Sequence, residues 1–296
     1  MSIPAAYTAV IVIWSTTPLA IQWSAQGAGF SFAVAARMLI GLAVCLLVVG
    51  ATRTALPLDA PARRLYAASG LSLCVSMLLT YWGALHIPSG LISVIFGLSP
   101  LVTGVFAALW LGERTLTPQR ISGLAIALAG LWLIFGQPWP GDADARLGTA
   151  AVLGGMGVQA LGLVWVKRLN VGASALATTT GSLGVAVPLF VLVWLVADAG
   201  AFPAGITARA GWAIVYLGVL GSVVGFTLYY YMIKRLDAGR VALITLVTPV
   251  SALLLGQAFN AETIPLAGWA GIALIGAGLV LYEWRALGQL RRHAAG

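Results

Sequence analysis

The chain has 296 residues, of which 60% are hydrophobic and only 8% are charged, and its mean hydropathy is +0.99. A water-soluble domain of this length needs far more charge to cover its surface, so the composition excludes that class. The formal net charge of +8 comes from 16 Lys and Arg against 8 Asp and Glu. Because these basic residues collect on one side of the helices predicted next, no nucleic-acid partner is needed to explain the charge.

Ten apolar stretches are long enough to cross a membrane as helices. A helix needs roughly 20 apolar residues to cross the hydrocarbon core, and most of the stretches are too long and unbroken to be barrel strands. Predicted helices 1 to 10 cover residues 4–25, 31–50, 65–86, 89–112, 117–136, 147–167, 174–197, 209–233, 239–259 and 264–284. The sequence therefore predicts an all-α integral membrane protein with ten transmembrane helices.

The Lys and Arg residues orient the predicted helices. Thirteen of the 16 follow even-numbered helices, whereas Arg146 and Arg209 follow odd-numbered ones and Arg37 lies inside predicted helix 2. By the positive-inside rule, both termini and the even-numbered loops face the cytoplasm. We expect a multi-pass protein of a bacterial inner membrane, in which residues 285–296 form a basic cytoplasmic tail.

A helix–loop–helix passage occurs twice, 149 residues apart, at residues 81–113 and 230–262. The matching landmarks are Tyr81 and Tyr230, Gly90 and Gly239, Ser99-Pro100 and Thr248-Pro249, and Glu113 and Glu262. The predicted repeats, residues 4–136 and 147–284, each contain five helices. Because five is odd, the two repeats are predicted to lie inverted relative to one another, an arrangement from which many secondary transporters are built.

Several motifs resemble the EamA family of the drug/metabolite transporter superfamily. The run LSPLV at 98–102 followed by LGER at 111–114 is similar to the family signature, and WSTTP at 14–18 is similar to its first-helix motif. In the second half, YMIKRL at 231–236 and TPV at 248–250 resemble the repeated domain, although QAFNAE at 257–262 departs from the usual Leu-Gly-Glu-like ending. The resemblance implies a ten-helix metabolite exporter, and the YddG-type members export aromatic and other bulky amino acids.

Pro100 and Pro249 are predicted to lie at the same depth. They fall about 11 and about 10 residues into predicted helices 4 and 9, which places both near mid-membrane at 1.5 Å per residue. Each proline frees the carbonyl four residues before it, at Phe96 and Thr245. Such groups are tolerated only against protein or a water-filled cavity. The two prolines are therefore either packed kinks or hinges beside a central cavity.

The residues predicted to contact a substrate combine a deep or gating position with aromatic or polar chemistry. They are Trp14, Thr17, Tyr81, Phe96, Gln159, Tyr230 and Thr245. Core packing is the alternative for Trp14, and helix–helix hydrogen bonding is the alternative for Gln159. Tyr81 and Tyr230 either belong to interfacial aromatic belts or gate the two mouths of a passage. Arg37 is expected to snorkel to the outer headgroups; in the alternative, its guanidinium faces the cavity and holds a carboxylate.

The sequence lacks the patterns that several other functions require. It has no Walker A motif, no pair of deep carboxylates for a proton relay and no His or Cys cluster with metal spacing. We therefore expect no cofactor, no metal and no enzymatic activity. The shortage of membrane-embedded cations argues against phosphate-bearing substrates.

The predicted function is secondary transport: export of amino acids, aromatic or otherwise bulky and apolar, by alternating access. The alternatives are a broad-specificity drug or metabolite exporter and an integral-membrane enzyme. The spacings Gly221-x-x-x-Gly225 and Gly123-x-x-x-Ala127 suit packing within one bundle and dimerisation equally well, so they leave the oligomeric state open.

Overall fold

A computed structural model describes residues 3–113, 117–135, 142–169, 171–225, 227–228, 238–263, 266–282 and 284. In these residues all regular secondary structure is helical. The helices are α1 Ile3–Ala28, α2 Phe30–Thr52, α3 Ala60–Gly83, α4 Ser89–Gly97, α5 Ser99–Leu111, α6 Pro118–Phe135, α7 Asp142–Leu169, α8 Ala175–Ala197, α9 Ala208–Tyr216, α10 Ala238–Asn260 and α11 Leu266–Tyr282. Helix α9 continues without interruption into a π-helical segment, Leu217–Val224.

Six helical stretches of the described chain are long and apolar enough to cross a membrane. They are α1, α2, α3, α4 together with α5, α7 and α8. Two shorter apolar stretches, Ala208–Val224 and Leu266–Tyr282, add to them. The described chain is therefore an all-α, multi-pass membrane protein, as its composition predicts.

The helix predicted at residues 89–112 is divided at Leu98 into α4 and α5. Pro100 lies in the first turn of α5, where a missing N–H removes no helical hydrogen bond. The amides of Leu101 and Val102 donate to the Leu98 carbonyl at 3.0 Å and 3.2 Å. In contrast, the repeat mate Pro249 lies inside the uninterrupted helix α10. The two prolines thus have different local consequences, and their role as hinges stays a prediction.

Helices α6 and α11 pack closely because glycine faces glycine. A Cβ added to Gly123 would lie 2.6 Å from the carbonyl oxygen of Gly278, and one added to Gly130 would lie 2.6 Å from that of Gly271. Small residues of this kind let two helix backbones approach within a membrane, where no hydrophobic force drives helices together. The Gly123-x-x-x-Ala127 spacing is therefore used for packing inside the chain.

We predict that Gly278→Ala lowers the free energy of unfolding by about 1–3 kcal/mol, because its Cβ would sit 2.5 Å from the Gly123 carbonyl oxygen and force α6 and α11 apart. Gly276→Ala is the matched control, since a Cβ there meets nothing within 4 Å. It should be neutral or slightly stabilising, because alanine is the better helix former. Equilibrium unfolding in detergent micelles compares the two variants, and equal losses would contradict the packing described.

Candidate functional site

Arg37 is buried in the bundle. It lies in the second turn of α2 and is 4% exposed. Its Nε donates to Ser222 Oγ at 3.3 Å and its Nη1 donates to the Tyr81 hydroxyl at 3.3 Å. The guanidinium carbon lies 5.9 Å from the centroid of the Tyr81 ring. The expectation that Arg37 snorkels to the headgroups is therefore wrong, because α3 and the π-helical segment offer it hydroxyl partners inside the protein.

The π-helical segment presents Ser222 to this arginine. The Ser222 hydroxyl donates to the carbonyl of Leu217, five residues back, at 3.0 Å, which is the spacing of a π-helix. Its oxygen then accepts the bond from Arg37 Nε. Gly218 allows the approach, because a Cβ at that position would lie 3.0 Å from the Arg37 carbonyl oxygen. A short serine side chain can therefore reach the guanidinium.

Tyr81 is completely buried near the end of α3, with an exposed fraction of 0%. A tyrosine in an interfacial belt needs to reach the headgroups with its hydroxyl. This hydroxyl instead accepts a hydrogen bond from Arg37. The interfacial alternative is therefore excluded for Tyr81, and its contact with a substrate stays a prediction.

Within the described part of the chain, no carboxylate forms an ion pair with Arg37. The ion pair found there joins Lys167 and Glu113. Buried charges in proteins are normally paired, because leaving water is costly for them. A guanidinium also carries five N–H donors, and the bonds to Ser222 and Tyr81 use two of them. Arg37 is thus a buried cation, and three of its five N–H groups are not used by these two bonds.

Trp14 lies one helical turn from Arg37 along the same glycine-lined helix. A Cβ on Gly225 would lie 3.3 Å from Trp14 Nε1, and a Cβ on Gly221 would lie 3.5 Å from Arg37 Nη2. Four residues make about one turn of this helix. The indole and the guanidinium therefore lie against the same Gly-x-x-x-Gly stretch, beside the side chains of Ile13 and Leu217.

Helix α1 places the hydroxyl group of Thr17 at the same height in the bundle as the π-helical segment. It runs antiparallel to α9 and the π-helical segment, since Gly27 lies against Ala210 and Ile13 lies against Gly225. In this register, Thr17 falls level with the middle of the π-helical segment. The Thr17 hydroxyl donates to the Ile13 carbonyl at 2.7 Å, which leaves its oxygen able to accept.

Of the remaining predicted site residues, two make other contacts and two lie outside the described residues. Gln159 Oε1 accepts from Ser76 Oγ at 3.3 Å, so this amide bonds between α3 and α7. Its contact with a substrate stays a prediction. Phe96, near the end of α4, is half-buried and packs against the main hydrophobic core. Tyr230 and the side chain of Thr245 lie outside the described residues.

A carboxylate joins the two halves of the chain at one end of the bundle. Glu262, just after α10, accepts from the backbone amides of Ser89 at 2.9 Å and Gly90 at 3.2 Å. These are the first two residues of α4. The first amides of a helix have no partner within the helix and carry partial positive charge, so a carboxylate is stabilised there. Glu262 therefore supplies, from the second half, the acceptor that α4 needs.

Two amide side chains extend this contact to α1. Asn260 Nδ2 donates to Glu262 Oε1 at 3.0 Å and to Gln22 Oε1 at 2.8 Å. Gln22 Nε2 donates to the Ile87 carbonyl at 3.0 Å, and Trp23 Nε1 donates to Asn260 Oδ1 at 3.1 Å. The network of Gln22, Ser89, Gly90, Asn260 and Glu262 is called the carboxylate latch below. It bonds α1, α4 and α10 together at this end of the bundle.

Glu113, the repeat mate of Glu262, has a different partner. Its Oε1 lies 2.5 Å from Lys167 Nζ, and the two side chains are 33% and 63% exposed. The ion pair therefore joins the chain just after α5 to α7.

Sequence reasoning identified Glu262 as a repeat landmark but missed its bonding role. The available signal was that an acidic residue ends both copies of the repeat, whereas the residue after it changes from Arg114 to Thr263. No comparable signal linked Ser222 to Arg37, because the two residues are 185 positions apart in the chain.

The described helices form a multi-pass bundle that buries Arg37, Tyr81 and Ser222, called the polar centre below. Membrane transporters commonly place ionisable and polar residues inside the bundle in this way. The chain matches the EamA-like transporter family over residues 3–136 and 146–284, and it belongs to that family.

Relatives with transporter names support the same class. A probable terminal-alkyne amino-acid exporter from Streptantibioticus cattleyicolor is 29% identical over 286 residues, which cover 95% of this chain and 93% of that protein. The uncharacterized inner membrane transporter YedA from Escherichia coli strain K12 is 27% identical over 203 residues, 66% of this chain and 62% of that protein. A crystal structure with 21% sequence identity superposes with a TM-score of 0.67, covering 97% of this chain and 99% of the other, and shares its fold. The protein is a membrane transporter.

We predict that Glu262→Ala lowers the free energy of unfolding by about 2–3 kcal/mol, because two helix-terminal amides and an amide side chain lose their acceptor. Lys167→Ala is the control, because it breaks the exposed ion pair with Glu113 and should cost about 1 kcal/mol or less. Unfolding of both variants in detergent micelles measures the difference, and an equal or larger loss for Lys167→Ala would contradict the latch.

Proposed function

We propose that this protein is a secondary transporter that exports amino acids, preferring aromatic or other bulky apolar ones, by alternating access. In this proposal ten membrane spans form two inverted repeats, residues 4–136 and 147–284, in a bacterial inner membrane with both termini cytoplasmic. The observation that carries the mechanism is the bonding of Glu262 to the first two amides of α4, because it joins the two halves of the chain at one end of the bundle.

The amino-acid class is supported by the relative from Streptantibioticus cattleyicolor, whose name assigns it an amino-acid substrate and which aligns with 95% of this chain. It is also supported by the aromatic and hydroxyl groups at the polar centre. The proposed substrate contacts are Trp14, Thr17, Tyr81, Phe96, Gln159, Tyr230 and Thr245, and the proposed hinges are Pro100 and Pro249.

The carboxylate latch supplies a physical mechanism for alternation. On the predicted orientation, it lies at the outer side and holds that side shut. For the outer side to open, Glu262 has to release the amides of Ser89 and Gly90. In the open state, water replaces Glu262 as the partner of these amides, so the two states stay close in free energy, as alternation requires.

We predict that liposomes containing the purified protein and loaded with phenylalanine accumulate labelled Phe and Trp by counterflow, and to smaller extents Met, Leu and Thr. Trp14→Ala should reduce Phe counterflow about tenfold or more, because an aromatic contact to the substrate is lost. Trp132→Ala is the control, since Trp132 is 74% exposed on α6. Absence of uptake of all five amino acids would contradict the substrate class, and resistance to toxic compounds unrelated to amino acids would favour a drug exporter.

A second prediction tests alternation. The native cysteines, Cys45 and Cys74, are free and buried, so both are replaced by alanine, and Ser93→Cys is introduced one turn into α4 behind the latch. A membrane-impermeant maleimide applied to intact cells should label this cysteine slowly. Glu262→Ala should speed the labelling severalfold because it frees the outer end, whereas Glu113→Ala should slow it or leave it unchanged. Equal acceleration by both changes would contradict a state-dependent latch.

A further inference from the structure

We propose that Arg37 binds the carboxylate of the transported molecule, so that a carboxylate is a requirement for transport. The inference rests on the proposed amino-acid transport, and it names the chemical group that the site recognises. It follows from three features of the described structure: an unneutralised buried cation, the partners that orient it, and the indole one turn away.

Arg37 is buried well inside α2, whereas the described Asp and Glu residues lie in loops or near helix ends. Asp198, which bonds Ser31 at the start of α2, is the acidic residue bonded to the same helix. Ser31 precedes Arg37 by six residues, or about 9 Å along the helix. A charged group inside a membrane protein normally has a counter-charge or serves a function. A bound carboxylate supplies the counter-charge that the described chain does not.

The hydroxyl groups of Ser222 and Tyr81 orient the guanidinium but do not neutralise its charge. Ser222 occupies Nε and Tyr81 occupies one N–H of Nη1, which leaves the other N–H of Nη1 and both of Nη2. Two parallel N–H groups on adjacent nitrogens are the donor pair that a carboxylate accepts in a bidentate contact. Because the Tyr81 oxygen accepts from Arg37, its own proton is available as a third donor. Nη2 lies beside Gly221, where an added Cβ would be 3.5 Å from Nη2 and 3.5 Å from the Leu217 side chain.

The position of Trp14 completes the match with an amino acid. Its indole lies against Gly225, about one turn of the π-helical segment from Gly221. An amino acid has its carboxylate at one end and its side chain at the other. The carboxylate binds Arg37, and the apolar side chain lies against Trp14. An amine without a carboxylate provides no charge for Arg37 and should be excluded.

The test is competition with labelled phenylalanine in the counterflow assay. The competitors are phenylalanine, phenylalaninamide, phenethylamine and 3-phenylpropionate, which separate the carboxylate from the ammonium group. With the wild-type protein, the amide and the amine should compete at least about tenfold more weakly than phenylalanine, and 3-phenylpropionate should compete better than either. In Arg37→Gln the ratio between phenylalanine and its amide should fall to about one. Arg120→Gln, which removes another arginine stacked on a tyrosine ring, should keep the wild-type ratio.

Two further variants keep the test decisive if Arg37→Gln folds poorly. Arg37→Lys keeps the charge but loses the bidentate geometry, so the ratio should fall by several fold. Tyr81→Phe keeps the ring and removes one donor, with a smaller fall. Equal transport of phenylalanine and its amide by the wild type, or an unchanged ratio in the folded Arg37 variants, would overturn the inference while amino-acid transport stands. Wild-type vesicles that take up no amino acid would contradict the proposed function and this inference together.

Discussion

The constraint on which the rest of this structure depends is that polar groups inside a membrane must find their partners within the protein. The clearest case is the carboxylate latch. The first amides of α4 have no partner in their own helix, and Pro88 before them offers no capping side chain. Glu262 meets that need from the other half of the chain. The unpaired amides at the start of α4 thus form a bond between the first and second halves of the chain.

The same constraint explains the polar centre. A guanidinium that leaves water keeps only the partners that neighbouring helices provide, and for Arg37 these are two hydroxyl groups. The hydroxyls satisfy part of its hydrogen bonding, but they do not satisfy its charge. This residual need makes the site receptive to an anionic group. The π-helical segment places Ser222 within reach of Arg37.

The sequence predicted the class of protein and most helix positions, because burying apolar length is a local property of the chain. It predicted less well what each polar residue contacts. The position of Arg37 along α2 alone predicts that it reaches the headgroups, whereas its partners on α3 and the π-helical segment hold it inside the bundle. Likewise, Pro100 and Pro249 match in sequence, but the described helix is broken beside the first proline and continuous through the second.

The sequence by itself determined that this chain is a helical membrane protein, that a helical passage recurs within it, and that its motifs belong to the EamA-like transporters. Those conclusions rest on hydrophobicity, spacing and motifs, which depend only on the order of residues along the chain. Only the tertiary structure decided that Glu262 caps α4, that Glu113 pairs with Lys167, and that Arg37 meets Tyr81 and Ser222. The physical reason is that hydrogen bonds and ion pairs depend on which helices become neighbours, and residues far apart in the chain set that arrangement together.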